Sequence, residues 1–159
     1  MSLLFALIKI VLALVAVAIA FLVGAVAMNH PPIFNAPGWS ERLHVYFTTN
    51  VAEIADQPIF PELQAMDDAR DAAALYMHTL RAVEKLGWEV VAHDDAQHRI
   101  DAVATTGLWK FKDDVAIWIV AQPNDKGRLY ARSKSRVGRG DLGANARHLR
   151  ELIEAVTGL

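Results

Sequence analysis

Cysteine is absent from all 159 residues. That excludes a disulfide framework, a thiolate metal site, an iron–sulfur cluster and a cysteine nucleophile. It leaves the compartment open, because a disulfide-free chain can live on either side of a membrane. Net charge is scarce as well: 16 basic residues stand against 18 acidic ones, so nothing overall draws the chain to nucleic acid or acidic lipid. Walker and dinucleotide glycine patterns are missing, and so is the Gly-x-Ser-x-Gly elbow of serine hydrolases. The length suits one domain with an appendage and is too short for a two-domain enzyme. Yet 53% of the residues are hydrophobic, and much of that excess sits in the first 28.

Charge is scarcest there. From Leu3 to Met28 the only charged side chain is Lys9, and Ile10 to Met28 is an unbroken apolar run of 19 residues. As a helix that run covers about 28 Å, close to a hydrocarbon core of roughly 30 Å. His30, Pro31 and Pro32 end it, since proline cannot continue the hydrogen-bond ladder. Ala25-Val26-Ala27 could be a signal-peptide cleavage site, but the run is longer than such peptides use and its start is hardly basic. Residues 1–29 therefore read as an uncleaved transmembrane anchor. With Lys9 before the span and no Lys or Arg until Arg42, the positive-inside rule sets the N-terminus in the cytoplasm. The rest would lie in the periplasm, at a bacterial inner membrane. Ala13, Ala16, Ala20, Gly24 and Ala27 recur at spacings of three and four. They line one helix face where a second transmembrane helix could approach closely.

Residues 30–66 read as a Pro-rich linker and an irregular segment, with His44-Val45-Tyr46-Phe47-Thr48-Thr49 strand-like in composition. Residues 67–159 read as the folded domain. Asp67 or Asp68 is expected to cap a helix running to Leu86, with Gly87 beyond its end. Four strands follow, near Trp88–His93, His98–Thr105, Trp109–Ala121 and Arg128–Arg136. Asp141 then opens a last helix that buries Leu142, Leu149, Leu152, Ile153 and Val156. Without a βαβ pattern the expected fold is α+β: two layers, an antiparallel four-stranded sheet with both helices on one face.

The small net charge hides an uneven distribution. Glu41–Asp125 carries 15 acidic and 7 basic residues, whereas Lys126–Arg150 carries 8 basic residues against Asp141 alone. Strand alternation puts Asp113 on the face of Phe111 and Val115, where a bare carboxylate would cost several kcal/mol. Folding the hairpin at Pro123–Gly127 brings Asp113-Asp114 opposite Ser135-Arg136, and an Arg fork is the expected partner.

Phe111-Lys112-Asp113-Asp114-Val115, Arg132-Ser133-Lys134-Ser135-Arg136-Val137-Gly138 and Asp141-Leu142-Gly143-Ala144-Asn145 together resemble the motifs of the domain of unknown function 1499 family. The resemblance covers Ala69 to Val156. It departs from the family pattern at Arg139, where an aromatic residue is usual, and in lacking an upstream motif containing Pro and Cys. The resemblance supports the fold and the pairing of the two motifs and brings no established reaction. It implies occurrence in bacteria and plastid-bearing organisms, hence a photosynthetic or respiratory complex as the setting.

Asp113, Asp114, Arg132, Ser133, Ser135, Arg136, Asp141 and Asn145 form the expected polar cluster. It is either a structural staple or, with the glycine turn and a helix N-terminus, a site for a small anion or lipid headgroup. A Ser–His–Asp set from Ser133 or Ser135, a histidine and Asp113 has no supporting motif. His93 and His98 flanking a turn are a weak metal pair. No catalytic residue, cofactor or metal is expected, and no nucleic acid. The leading expectation is a non-catalytic, single-pass accessory subunit with an integral-membrane protein partner.

Overall fold

The computed structural model describes residues 3–107 and 110–158. Trp109, the expected start of the third strand of the meander, lies outside them. The first element, α1 (Leu3–Ala27), is a 25-residue helix, about 37 Å long at 1.5 Å per residue. Its mean hydropathy reaches 3.0, long and apolar enough to cross a membrane, a test that signal sequences also pass. Of its side chains only Val26 is buried, and Val26 joins the core of the domain.

The domain follows in the order α2 (Trp39–Thr48), β1 (Val51–Ile54), a 3-10 turn (Pro61–Leu63), β2 (Asp67–Asp68), α3 (Ala72–Lys85), β3 (Glu89–Asp94), β4 (Arg99–Thr105), β5 (Lys112–Gln122), β6 (Lys126–Ser135) and α4 (Ala144–Thr157). The expected meander is present as β3–β6. Two short strands extend it to a six-stranded antiparallel sheet in the order β1-β6-β5-β4-β3, with β2 also on β6. One sheet edge is thus split between strands of four and two residues, and the other, β3, has a register break between Val90 and Ala92. Helices α3 and α4 cover one face. Leu75, Tyr76 and Val83 of α3 and Leu149, Leu152 and Val156 of α4 share a core with Ile100, Ala102, Val115, Ile117 and Ala131 of the sheet.

Several local expectations are corrected. Residues 44–48 are helical, because α2 turns Arg42, Val45 and Tyr46 inward at the i, i+3, i+4 spacing of a helix face. The segment read as irregular also supplies β1, paired from Val51↔Lys134 to Ile54↔Ala131. Pro31–Gly38 is not extended but folds into successive turns, with Ile33, Asn35 and Gly38 N–H groups bonded to Pro31, Pro32 and Asn35 carbonyls. Asp67 and Asp68 lie in β2 opposite Arg128 and Gly127, and the cap of α3 is Asp71, whose carboxylate accepts from Ala74 N–H at 2.7 Å. At α4 the cap position is Gly143, left-handed at φ 87°. Asp141 supplies the carboxylate from two residues upstream, accepting from the N–H groups of Gly143 (2.8 Å) and Asn145 (3.0 Å). Ile153 and Leu142 pack only partly against the core.

The joint between α1 and the domain is tied by hydrogen bonds. Asn29, buried, donates to the Leu142 carbonyl at 2.8 Å, and Arg150 of α4 donates to the carbonyls of Asn29 (2.8 Å) and His30 (3.0 Å).

Candidate functional site

Strand alternation divides the expected cluster between two faces of the sheet. Asp113, Ser133 and Ser135 point into the helix layer and are buried, whereas Asp114, Arg132, Lys134 and Arg136 are exposed on the open face. The hairpin register sets Asp113 opposite Ser135 and Asp114 opposite Lys134. Arg136 reaches Asp114 diagonally, with Nε and Nη2 donating at 3.0 and 2.6 Å, and holds that carboxyl below its ordinary range. Arg132 pairs with Glu53 across β1 at 3.0 Å. The arginines are therefore not assembled with Asn145 and the glycine turn, which lie on the other side of the sheet.

On the inner face, Asn145 is the hub. Its Oδ1 accepts from Ser133 Oγ at 2.6 Å, and its Nδ2 donates to Ser135 Oγ and to the Asn50 carbonyl, each at 2.9 Å. Asn50 in turn donates to the Ser135 and Gly138 carbonyls. This network stitches the end of β6 to the first turn of α4. It leaves the two strand serines bonded to an amide rather than to an imidazole, so no Ser–His–Asp relay forms with them.

The partner of Asp113 is a histidine, not the expected arginine. His148 Nε2 lies 3.1 Å from Asp113 Oδ2, and Glu151 Oε2 stands 3.5 Å from Nδ1 on the other side. Burial pushes this imidazole down, but the hydrogen bond to Asp113 and the nearby Glu151 carboxylate outweigh it, so its pKa is held above the ordinary value. The Trp88 ring meets His148 edge-on at 5.8 Å. His148 shares the helical face of Asn145, Leu149 and Leu152 at i+3 and i+4 spacing. That periodicity was the available signal for its burial.

Above this floor lies a cavity of about 270 Å³ between the end of α1 and the β6–α4 turn. Ala25, Met28 and Asn29 line one side, Phe111 and Val137 another, and Asp113, Ser135, Asp141 and Arg147 supply its polar groups. Asp113 is 1% exposed, and its second oxygen, Oδ1, has no hydrogen-bond partner among the described residues. Burial raises the pKa of Asp141, against the opposing pull of the Gly143 and Asn145 N–H groups.

Two further polar groups were not legible in the sequence. Arg42, fully buried, forks onto Glu62 at 2.7 and 2.8 Å, donates to the Asn35 and Ala36 carbonyls and lies over the Phe60 ring. Tyr76 donates to Asp95 at 2.6 Å, and burial together with that carboxylate pushes its phenol up to about 12. His93 shares the same Asp95 oxygen, while the His98 ring lies tilted against that of Tyr76 at 5.5 Å. Among the described residues no group of three or more His, Asp or Glu is placed to hold a metal.

Fold and site together define an α+β domain carried on an apolar helix of membrane length, with a buried His–carboxylate pair beneath a cavity at their junction. A family model described as "Protein of unknown function (DUF1499)" matches residues 50–156, two thirds of the chain, and the protein belongs to that family. Comparison with curated proteins returned no match.

Proposed function

We propose that this protein is a non-catalytic accessory subunit, held in a bacterial inner membrane by an uncleaved α1, with its domain in the periplasm. Its partner is an integral-membrane protein engaged by the anchor and by the domain beside it. The observation that carries this reading is the joint. A helix that served only as a tether would need no fixed attachment to its domain, yet Asn29 and Arg150 bond the two together and Val26 enters the core. Ala13, Ala16, Ala20, Gly24 and Ala27 are all exposed. A Cβ built on Gly24 meets nothing within 4 Å. Small residues of this kind let a neighbouring helix approach to backbone distance.

The test is solubilisation of native membranes in mild detergent, with purification through a C-terminal tag. Defined subunits are expected to accompany the chain and to be lost from Gly24→Leu, while the variant still resists carbonate extraction. A chain that elutes as a bare monomer overturns the reading. The anion reading has no such support, because Arg132 and Arg136 face away from Asn145 and are already bonded to Glu53 and Asp114.

A further inference from the structure

We infer that the cavity beneath the end of α1 is a phospholipid site that selects a primary-ammonium headgroup of the phosphatidylethanolamine kind. This rests on the reading of α1 as a membrane anchor. The apolar run ends at Met28, so Ala25, Met28 and Asn29 stand at the depth of the headgroups, and these residues form one wall of the cavity. Much of the remaining lining is apolar, from Phe111, Val137, Leu142 and Ala144, which suits the glycerol and upper acyl region of a lipid rather than a fully hydrated ion.

The polar end of the cavity is acceptor-rich. Asp113 Oδ2 is taken by His148, and both Asp141 oxygens accept from backbone N–H groups. Asp113 Oδ1, buried and without a partner among the described residues, needs a donor. An ammonium supplies three N–H groups and makes the charge-assisted bond that is strongest in a dry site. Among the described residues Arg147 is the one cationic group of the lining. Its Nε is buried and ion-paired with Glu151 at 3.5 Å, and the guanidinium, as the cation on this wall, is the group to take the headgroup phosphate. One cation at the deep carboxylate and one anion at Arg147 is the charge order of a zwitterionic phosphodiester. A quaternary choline headgroup has no N–H to give, and a phosphatidylglycerol headgroup has no cation.

Native mass spectrometry of the full chain, released from micelles containing equal phosphatidylethanolamine, phosphatidylcholine and phosphatidylglycerol, reads the preference directly. Phosphatidylethanolamine adducts are expected to exceed each of the others about tenfold, the ratio one charge-assisted bond supplies. Asp113→Asn is expected to bring the ratio close to one. Because Asp113 also holds His148, Val137→Trp provides the second variant: Val137 is 70% exposed, and the indole fills the cavity from its outer wall. It is expected to lower all lipid adducts while leaving the melting temperature unchanged. Equal retention of the three lipids by the wild type overturns the inference, as does an undiminished preference in Asp113→Asn. Soluble phosphoethanolamine that binds as well as the lipid overturns the membrane source and assigns a free zwitterion instead. A chain washed from membranes by carbonate overturns the anchoring itself, whereas one that stays but shows no lipid preference overturns only the cavity's assignment.

Discussion

His148 is the residue on which most of the buried charge turns. Its folded pKa lies above the unfolded value near 6.5, so protonation favours the folded state. The stability it contributes is complete below that unfolded value and is lost as pH rises through the folded one. Denaturant unfolding is therefore expected to show falling stability on the alkaline side of 6.5, and His148→Gln should flatten that limb. Glu151 has the opposite sign. Its pKa is lowered by His148 and Arg147 despite burial, so its contribution is present above about 4.5 and is lost on acidification. At Gly140 the constraint is steric. A Cβ there would lie 2.5 Å from the Phe47 carbonyl oxygen and 2.7 Å from that of Tyr46, both backbone atoms of α2. Gly140→Ala is expected to cost about 1–3 kcal/mol in urea denaturation, as the turn is pushed off α2.

At the scale of elements, what the sequence disclosed depended on whether the controlling contact was local. The β5–β6 hairpin was legible because alternation and a short turn set its register, and Asp113 duly faces Ser135. The identity of Asp113's partner was not, since His148 comes from a helix 35 residues away and no spacing rule reaches it. For α2 the sequence was misleading. Its Val, Tyr, Phe and Thr favour a strand locally, and the helix is imposed by burial of Arg42 against Glu62 and of Tyr46 against Phe60. Likewise β1, four residues long, is too short to announce itself and exists because β6 offers an edge. Asn145 links β6, α4 and the residue before β1, so its removal is a test of how these elements cohere. Asn145→Ala strands two buried serine hydroxyls, leaves the Asn50 carbonyl with only its bond from the Ser135 N–H, and is expected to lower unfolding free energy by about 3 kcal/mol. A serine-to-alanine change at position 133 in the same background should then cost little further, which a double-mutant cycle would record.

For the molecule as a whole, the sequence foretold two materials, an apolar helix and a folded domain, but not the bonds that fix one to the other. Those bonds run from one side-chain amide and one guanidinium to backbone carbonyls, which leave no pattern in the chain. Replacing both Asn29 and Arg150 by Ala is expected to leave the melting temperature of the domain within a few degrees of wild type. Limited proteolysis across residues 30–38 should become several-fold faster as the joint loosens. The charge asymmetry read from the sequence also takes shape at this scale. The basic run on β6 faces out and meets acidic residues of its neighbours in pairs: Arg128 with Asp56 and Asp67, Arg132 with Glu53, and Arg136 with Asp114. Exposed pairs such as these add little stability each, so their number is better read as a surface kept polar than as a source of strength.

The broken edges of the sheet bear on life in a crowded plane. A chain confined to a membrane meets its own copies far more often than one free in solution, and every open strand is an invitation to zip with the next. Here one border is divided into stubs of four and two residues, and the other is kinked between Val90 and Ala92. Neither offers a long straight row of amides and carbonyls for a neighbour to copy. On the proposed reading of α1 as an anchor, the molecule would accumulate at high surface density without fusing into continuous sheets, and its lateral associations would be left to that helix.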